Sequence, residues 1–241
     1  GLMSVAVKVP TFALLARVVY VVLGPDSAAL IPLYVLALFS MLVGNLGAIR
    51  QRNLKRLLAY SSIAQAGYIV IALAGAHAGG LSAMLFYLAA YAFTNLGAFG
   101  VIALLGDGDE AYADLDAFRG LFFRRPWAAA AMALFFFSLA GIPATAGFYA
   151  KILLLQQAFT AGPWGIALAL GLVLGTLISF YVYGKIVWTM YSPVEVDAAE
   201  GAGNAFASWV AIGAGAVATV LLGVLPQLFY TSQPFLSAAA R

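Results

Sequence analysis

Apolar stretches long enough to cross a bilayer follow one another along almost the whole chain, and this constrains the fold before any motif does. A hydrocarbon core about 30 Å thick takes roughly 20 helical residues to cross. Seven segments reach that length, at about 2–23, 30–49, 57–76, 81–105, 128–158, 165–190 and 205–230. Turn-forming residues separate them, as at Gly24-Pro25-Asp26, Gly79-Gly80, Gly162-Pro163 and Ser192-Pro193. A membrane β-barrel would instead show alternating segments of about ten residues, and these are absent. The expectation is an all-α polytopic membrane protein, one membrane domain over residues 1–241 with seven transmembrane helices. Of the 241 residues, 64% are hydrophobic and 9% charged, against roughly half and a quarter in soluble domains. So few charges cannot make a water-facing surface.

The same counts exclude several function classes. Net charge is only +3, and the basic residues are scattered among hydrophobic runs, whereas a phosphate-binding surface needs them clustered beside polar residues. Nucleic acid is not an expected partner. Cysteine is absent, which excludes disulfides and cysteine-ligated iron–sulfur clusters within this chain. One histidine and nine acids leave little for a metal site. Gly1-Leu2-Met3-Ser4 runs straight into apolar sequence without a basic leader or cleavage motif. With glycine rather than methionine in first place, the chain is expected to be the interior or C-terminal part of a longer protein.

Charge divides the loops. The connections 50–56 and 106–127 carry Arg50, Arg52, Lys55, Arg56, Arg119, Arg124 and Arg125, while 24–29, 77–80 and 159–164 carry no lysine or arginine. The positive-inside rule places the first group in the cytoplasm. With seven crossings the chain then starts on the cytoplasmic side and ends, at Arg241, on the other. The connection 191–204 is acidic, with Glu195, Asp197 and Glu200, but acids count for little in this rule.

An ionisable group at bilayer depth is costly and marks function by default. Lys151 is the clearest case. Its segment, 128–158, would span about 46 Å as a straight helix, too long for a simple crossing. Gly141-Ile142-Pro143 sits near its middle, and a proline there breaks or kinks the helix. Broken backbone at this depth is tolerated only inside protein or beside a water-filled cavity, and a discontinuous helix with a nearby charge is a recurring ion-site design. The bland alternative is a lysine snorkelling from the last turn of a shorter helix. Lys8, followed by Pro10, is the second candidate, with snorkelling to the cytoplasm as its alternative. Lys185 lies five residues before the expected end of its helix, where snorkelling is the better reading and a relay role the other. Lys55 belongs to a topological cluster, and His77 to a short loop where a lone histidine is usually just solvated.

Two polar stripes could connect the lysines. Tyr60, Ser61, Ser62, Gln65 and Tyr68 line the start of the third segment; Tyr87, Tyr91, Thr94 and Asn95 recur at helical spacing in the fourth. Such groups either hydrogen-bond neighbouring helices or hold waters in a proton wire. Ser61, Ser62, Tyr87, Tyr91 and Asn95, with Lys185, are the candidate relay.

At these residues the chain resembles a known family. Met3-Ser4-Val5-Ala6-Val7-Lys8, the run from Asn53-Leu54-Lys55-Arg56 through Gln65-Ala66-Gly67-Tyr68, Asn95-Leu96-Gly97-Ala98-Phe99, Arg119-Gly120-Leu121, and Ser138-Leu139-Ala140-Gly141-Ile142-Pro143 through Gly147-Phe148-Tyr149-Ala150-Lys151 resemble the N subunits of bacterial respiratory complex I, the NADH–quinone oxidoreductase. The resemblance runs in order along essentially the whole chain. It implies about fourteen transmembrane helices in the full subunit, built from two inverted five-helix repeats. This chain would hold the last seven: one antiporter-like repeat with a flanking helix on each side. It also implies that Lys8 and Lys151 match the family's lysines in the eighth and the broken twelfth helix, two members of a polar axis. The family's glutamate in the fifth helix and lysine in the seventh would lie upstream of Gly1. The related M subunits typically have glutamate where Lys151 stands, and L subunits have a long lateral helix after the bundle.

What this resemblance implies is redox-driven proton translocation in the bacterial inner membrane. FMN, iron–sulfur clusters and quinone would reside in other subunits, this chain would hold no cofactor, and its partners would be the other membrane subunits and the bilayer. A lysine in water holds its proton too tightly to pass it on at neutral pH. Desolvation disfavours a charge and nearby charges shift the balance either way, so a buried lysine can be switched between uptake and release. Two alternatives stand beside this: a subunit of a multi-subunit Na⁺/H⁺ antiporter, and a purely structural membrane anchor.

Overall fold

The computed structural model describes residues 6–24, 28–74, 78–106, 114–193 and 206–227. Among these residues the regular structure is helical, apart from an isolated bridge between Asn53 and Asp114. Helix α1 (Lys8–Arg17) runs on as a π-helical turn, Val18–Leu23. There follow α2 (Ile31–Ile49), α3 (Leu54–Ile71), α4 (Ala78–Gly106), the short α5 (Leu121–Arg124), α6 (Pro126–Ala140), α7 (Ala146–Ala158), α8 (Gly165–Tyr191) and α9 (Phe206–Val224). His77, Glu195, Asp197, Glu200 and Arg241 lie outside the described residues.

Local sequence places the helix starts. Pro32 and Pro126 occupy the first turns of α2 and α6, where the missing N–H costs nothing and the fixed φ suits a helix. Asn53 caps α3, its side-chain oxygen accepting the Arg56 N–H at 3.1 Å.

Four stretches among the described residues are long and apolar enough to cross a membrane: Ala28–Ile49, Gly79–Leu105, Gly162–Tyr191 and Phe206–Val224. Three of the seven segments marked in the sequence are not among them. The first carries Lys8 and Arg17, the third is rich in hydroxyls and amides, and 128–158 is divided between α6 and α7.

Close backbone approach holds the bundle together. A side chain at Gly44 would collide with the backbone of Ala64, so α2 lies directly on α3; a Cβ at Gly215 of α9 would come 2.8 Å from the Phe93 carbonyl of α4. Helices in lipid gain little from hydrophobic transfer, and small residues at such crossings let dispersion contacts do the holding. Tyr68, Phe86, Phe135, Phe136 and Tyr183 fill the interior. The outside is equally apolar: Phe39 is 62% exposed on α2 and Leu177 62% on α8, within rows of exposed Leu, Val and Ile. Water-soluble monomers rarely show such continuous apolar faces.

The basic residues of the connections 50–56 and 114–125 gather at one end. The Leu115 N–H donates to the Arg52 carbonyl at 2.8 Å, and Gly120 N–H to the Thr189 carbonyl at 3.3 Å. Phe122 stacks on Tyr191 with ring centroids 4.7 Å apart. These contacts bring the segments bearing Arg50–Arg56 and Arg119–Arg125 to the same end. Trp127, Trp188 and Phe206 project from helix termini at this end, where aromatic belts form at a membrane–water interface.

Candidate functional site

The site is built on the break between α6 and α7. Helix α6 stops because Gly141 is left-handed, with φ 88°, which only glycine adopts at no steric cost. Ile142 N–H donates to the Phe137 carbonyl at 2.9 Å and Gly141 N–H to the Ser138 carbonyl at 3.0 Å; these are the two bonds of a Schellman cap. The Leu139 carbonyl would normally receive the N–H four residues on, but that residue is Pro143, which has none. Lys151 supplies the missing donors. Its Nζ donates to the Leu139 and Ala140 carbonyls at 3.0 Å each.

Lys151 is buried, with 7% of its surface exposed, and it sits at the negative end of α6, where a cation is favoured. Gly147 lets α7 begin this close to the end of α6, because a Cβ there would collide with the Ser138 carbonyl. The Gly147 N–H donates to Ser138 Oγ at 3.1 Å. An ammonium has three N–H donors, so two carbonyls leave one. Lys151 lines a cavity with Gln65, Tyr87, Tyr91, Thr94 and Ser138, roomy enough for about one water molecule. The Tyr68 ring lies on another side, its centroid 5.4 Å from Nζ, within cation–π range.

Lys8 is half-buried on α1 and turns inward. Its Nζ donates to the Ser62 carbonyl at 2.7 Å and to Tyr91 Oη at 3.0 Å, and lies 4.2 Å from the centroid of the Tyr91 ring. Tyr91 therefore touches Lys8 and also walls the cavity of Lys151. This one side chain joins the two lysines.

The other marked residues take different places. Ser61 pairs with Tyr183, whose ring stacks on Phe136, and Tyr87 donates to Gln65. Asn95 Nδ2 donates to the Tyr91 carbonyl at 3.1 Å, and Thr94 Oγ1 to the Ala90 carbonyl at 2.7 Å. Ser62 takes part through its backbone carbonyl. Tyr60 lies apart, against Gly47 of α2. Lys55 and Lys185 are exposed, on the outside of the bundle. Among the described residues no group of three or more His, Asp or Glu is placed to hold a metal.

The structure adds residues that the sequence stripes did not mark. Asn45, Ser179 and Thr219 are buried polar side chains; of the three, Asn45, the single amide of its helix, carried a signal in the sequence. Thr94 Oγ1 lies 3.4 Å from both Ser138 Oγ and Thr219 Oγ1, which ties α9 to the break. Arg17 is exposed on α1 beside Leu14, Val18 and Val21.

Apolar-faced helices around a broken one, with a lysine buried at the break, define a multi-helix membrane protein with a polar site in its interior. Residues 1–179 match the family described as NADH:quinone oxidoreductase/Mrp antiporter, TM; the chain belongs to this family and is a multi-pass membrane protein. It is 39% identical over 233 residues to NADH-quinone oxidoreductase subunit N 1 of Symbiobacterium thermophilum, covering 93% of this chain and 47% of that protein. To subunit N 2 of Roseiflexus castenholzii it is 41% identical over 241 residues, covering 94% and 46%. A chain of respiratory complex I from Thermus thermophilus with bound aureothin matches with TM-score 0.76 and 33% identity, over 94% of this chain and 49% of that one. The chain spans about half the length of the curated relatives it matches.

Proposed function

We propose that this chain is the C-terminal half of a subunit N of bacterial NADH–quinone oxidoreductase, and that it moves protons while quinone is reduced elsewhere in the complex. On this reading it crosses the inner membrane seven times, with α6 and α7 together making the fifth crossing. The five central crossings form one antiporter-like repeat. The basic end faces the cytoplasm. FMN, iron–sulfur clusters and quinone sit in other subunits, and the apolar outer faces meet lipid and neighbouring membrane subunits.

The observation that carries the proposal is the hydrogen-bonding of Lys151. Two donors stay on the Leu139 and Ala140 carbonyls. A neutral amine still has two N–H groups, so it can keep both bonds after losing a proton. The third proton, on the cavity side, is the one that leaves. The helix break therefore need not rearrange when the charge changes. From the cavity the next group toward Lys8 is Tyr91, with a water in the cavity as the carrier between them.

The test separates capping from titration. Arginine in place of Lys151 offers enough donors for both carbonyls but does not release a proton at any relevant pH. Lys151→Arg in the intact complex is expected to assemble, to keep NADH oxidation by the peripheral subunits, and to lose proton pumping. Lys151→Ala should lose pumping and also lower stability, since it leaves two buried carbonyls unsatisfied at about 1–3 kcal/mol each. Normal pumping by an assembled Lys151→Arg complex would falsify the proposal.

The family also includes Mrp antiporter subunits, for which the same lysines would serve cation exchange. Sodium-dependent transport by purified complexes without NADH oxidation would favour that reading.

A further inference from the structure

The proposed proton site has a side of its own that neither lysine nor the cavity explains. Tyr68 is fully buried, and its ring faces the Lys151 ammonium with the centroid 5.4 Å away. Its hydroxyl is fastened at the far end. Asn45 Nδ2 donates to Tyr68 Oη at 2.8 Å and to the Met41 carbonyl at 2.7 Å, and Ser179 Oγ donates to Asn45 Oδ1 at 2.9 Å. Gly175 leaves the room for this cluster, since a Cβ there would collide with Tyr68 Oη and come 2.8 Å from Asn45 Nδ2. Asn45 stands on α2, Tyr68 on α3, and Gly175 and Ser179 on α8. Three helices thus converge on a single phenol.

We propose that Asn45, itself oriented by Ser179, is a positioning residue that holds the Tyr68 ring against the Lys151 ammonium. The proposal rests on Lys151 being the proton-carrying group. A ring face attracts the ammonium and gives little to the neutral amine, so the distance of the ring biases the site between its two protonation states. That bias is useful only if the ring cannot drift. Packing already confines a buried ring, and Asn45 adds a fixed point at its tip, held on a backbone carbonyl of its own helix. The other titratable side chains near the ammonium are Tyr87 and Tyr91, which line its cavity from α4, with Lys8 beyond Tyr91 and the buried Tyr183 of α8 beside these tyrosines. Tyr87 bonds to Gln65, and Lys8 to Ser62 and Tyr91. These bonds lie outside the Asn45 cluster, so the cluster can be perturbed separately.

The experiment is a double-mutant cycle in the intact membrane complex, with assembly, NADH oxidation, pumped protons and the pH profile of pumping as readouts. Asn45→Ala and Tyr68→Phe remove the same hydrogen bond from opposite ends. Each is expected to lower pumping by roughly two- to tenfold, the worth of one hydrogen bond. Each should displace the pH of half-maximal pumping by the same amount, and the double variant by no more than either single one. Effects that add, or an unmoved pH profile in both single variants, overturn the positioning role. Ser179→Ala carries the same expectation in milder form and decides the question if Asn45→Ala does not assemble. Lys151→Arg keeps the two failures apart. Pumping retained there overturns the underlying reading as well, whereas pumping lost there and unchanged in the assembled Asn45→Ala complex overturns this inference alone.

Discussion

At the scale of single residues, Lys151 and Gly141 depend on each other. The glycine ends α6 in a left-handed turn, and the lysine satisfies the carbonyls which that turn leaves open. Gly141→Ala should therefore act twice. A left-handed L-residue costs about 1–2 kcal/mol, and the added Cβ would press on Lys151 Cδ at 3.1 Å. The expected result is a complex that melts earlier and pumps less, measured by thermal inactivation and by proton uptake at equal assembly. The lysine and the break were legible in the sequence, because a charge in an apolar segment and a Gly-Ile-Pro run are each conspicuous. Which carbonyls the ammonium would reach was not, since that depends on how α7 restarts.

At the scale of the helix, the close meeting of α6 and α7 depends on Gly147. An alanine there collides with the Ser138 carbonyl and must push the two half-helices apart, while at Gly184 of α8 nothing lies within 4 Å of the place a methyl would take. Gly147→Ala is expected to abolish pumping or assembly. Gly184→Ala should leave both within the small range of surface substitutions, about 0.5 kcal/mol. A side-by-side assembly gel and pumping assay of the two variants checks this, and equal behaviour would count against the packing argument. The polar stripes on α3 and α4 were visible as a spacing pattern, but their partners come from other helices. Ser61 needs Tyr183 and Tyr68 needs Asn45, 122 and 23 residues away in sequence. Arg17 shows the same limit: spacing alone does not say that it faces outward on α1.

At the scale of the whole molecule, the basic end fixes a testable orientation. The chain has no cysteine, so single cysteines placed in it report accessibility without background from these 241 residues. Arg52→Cys and Arg125→Cys should react with a membrane-impermeant thiol reagent added from the cytoplasmic side, and Phe159→Cys, exposed at the other end, from the opposite side. The reverse pattern would invert the proposed topology. Among the described residues four helices satisfy length and apolarity on their own, while the two lysines stand on the shorter α1 and α7.

The sequence by itself determined the solvent of this protein, its helical class, the end that gathers basic charge, and the place where a helix must break. Each follows from local chemistry: the cost of backbone and charge in lipid, the preference of glycine for a left-handed turn, and the missing N–H of proline. Only the tertiary structure decided that Lys151 caps the helix it follows, that Tyr91 joins it to Lys8, and that Asn45 and Ser179 fasten Tyr68 from two further helices. Hydrogen bonds between helices depend on register and approach, and glycines at crossings set these to within about an ångström, a distance no spacing rule along the chain encodes.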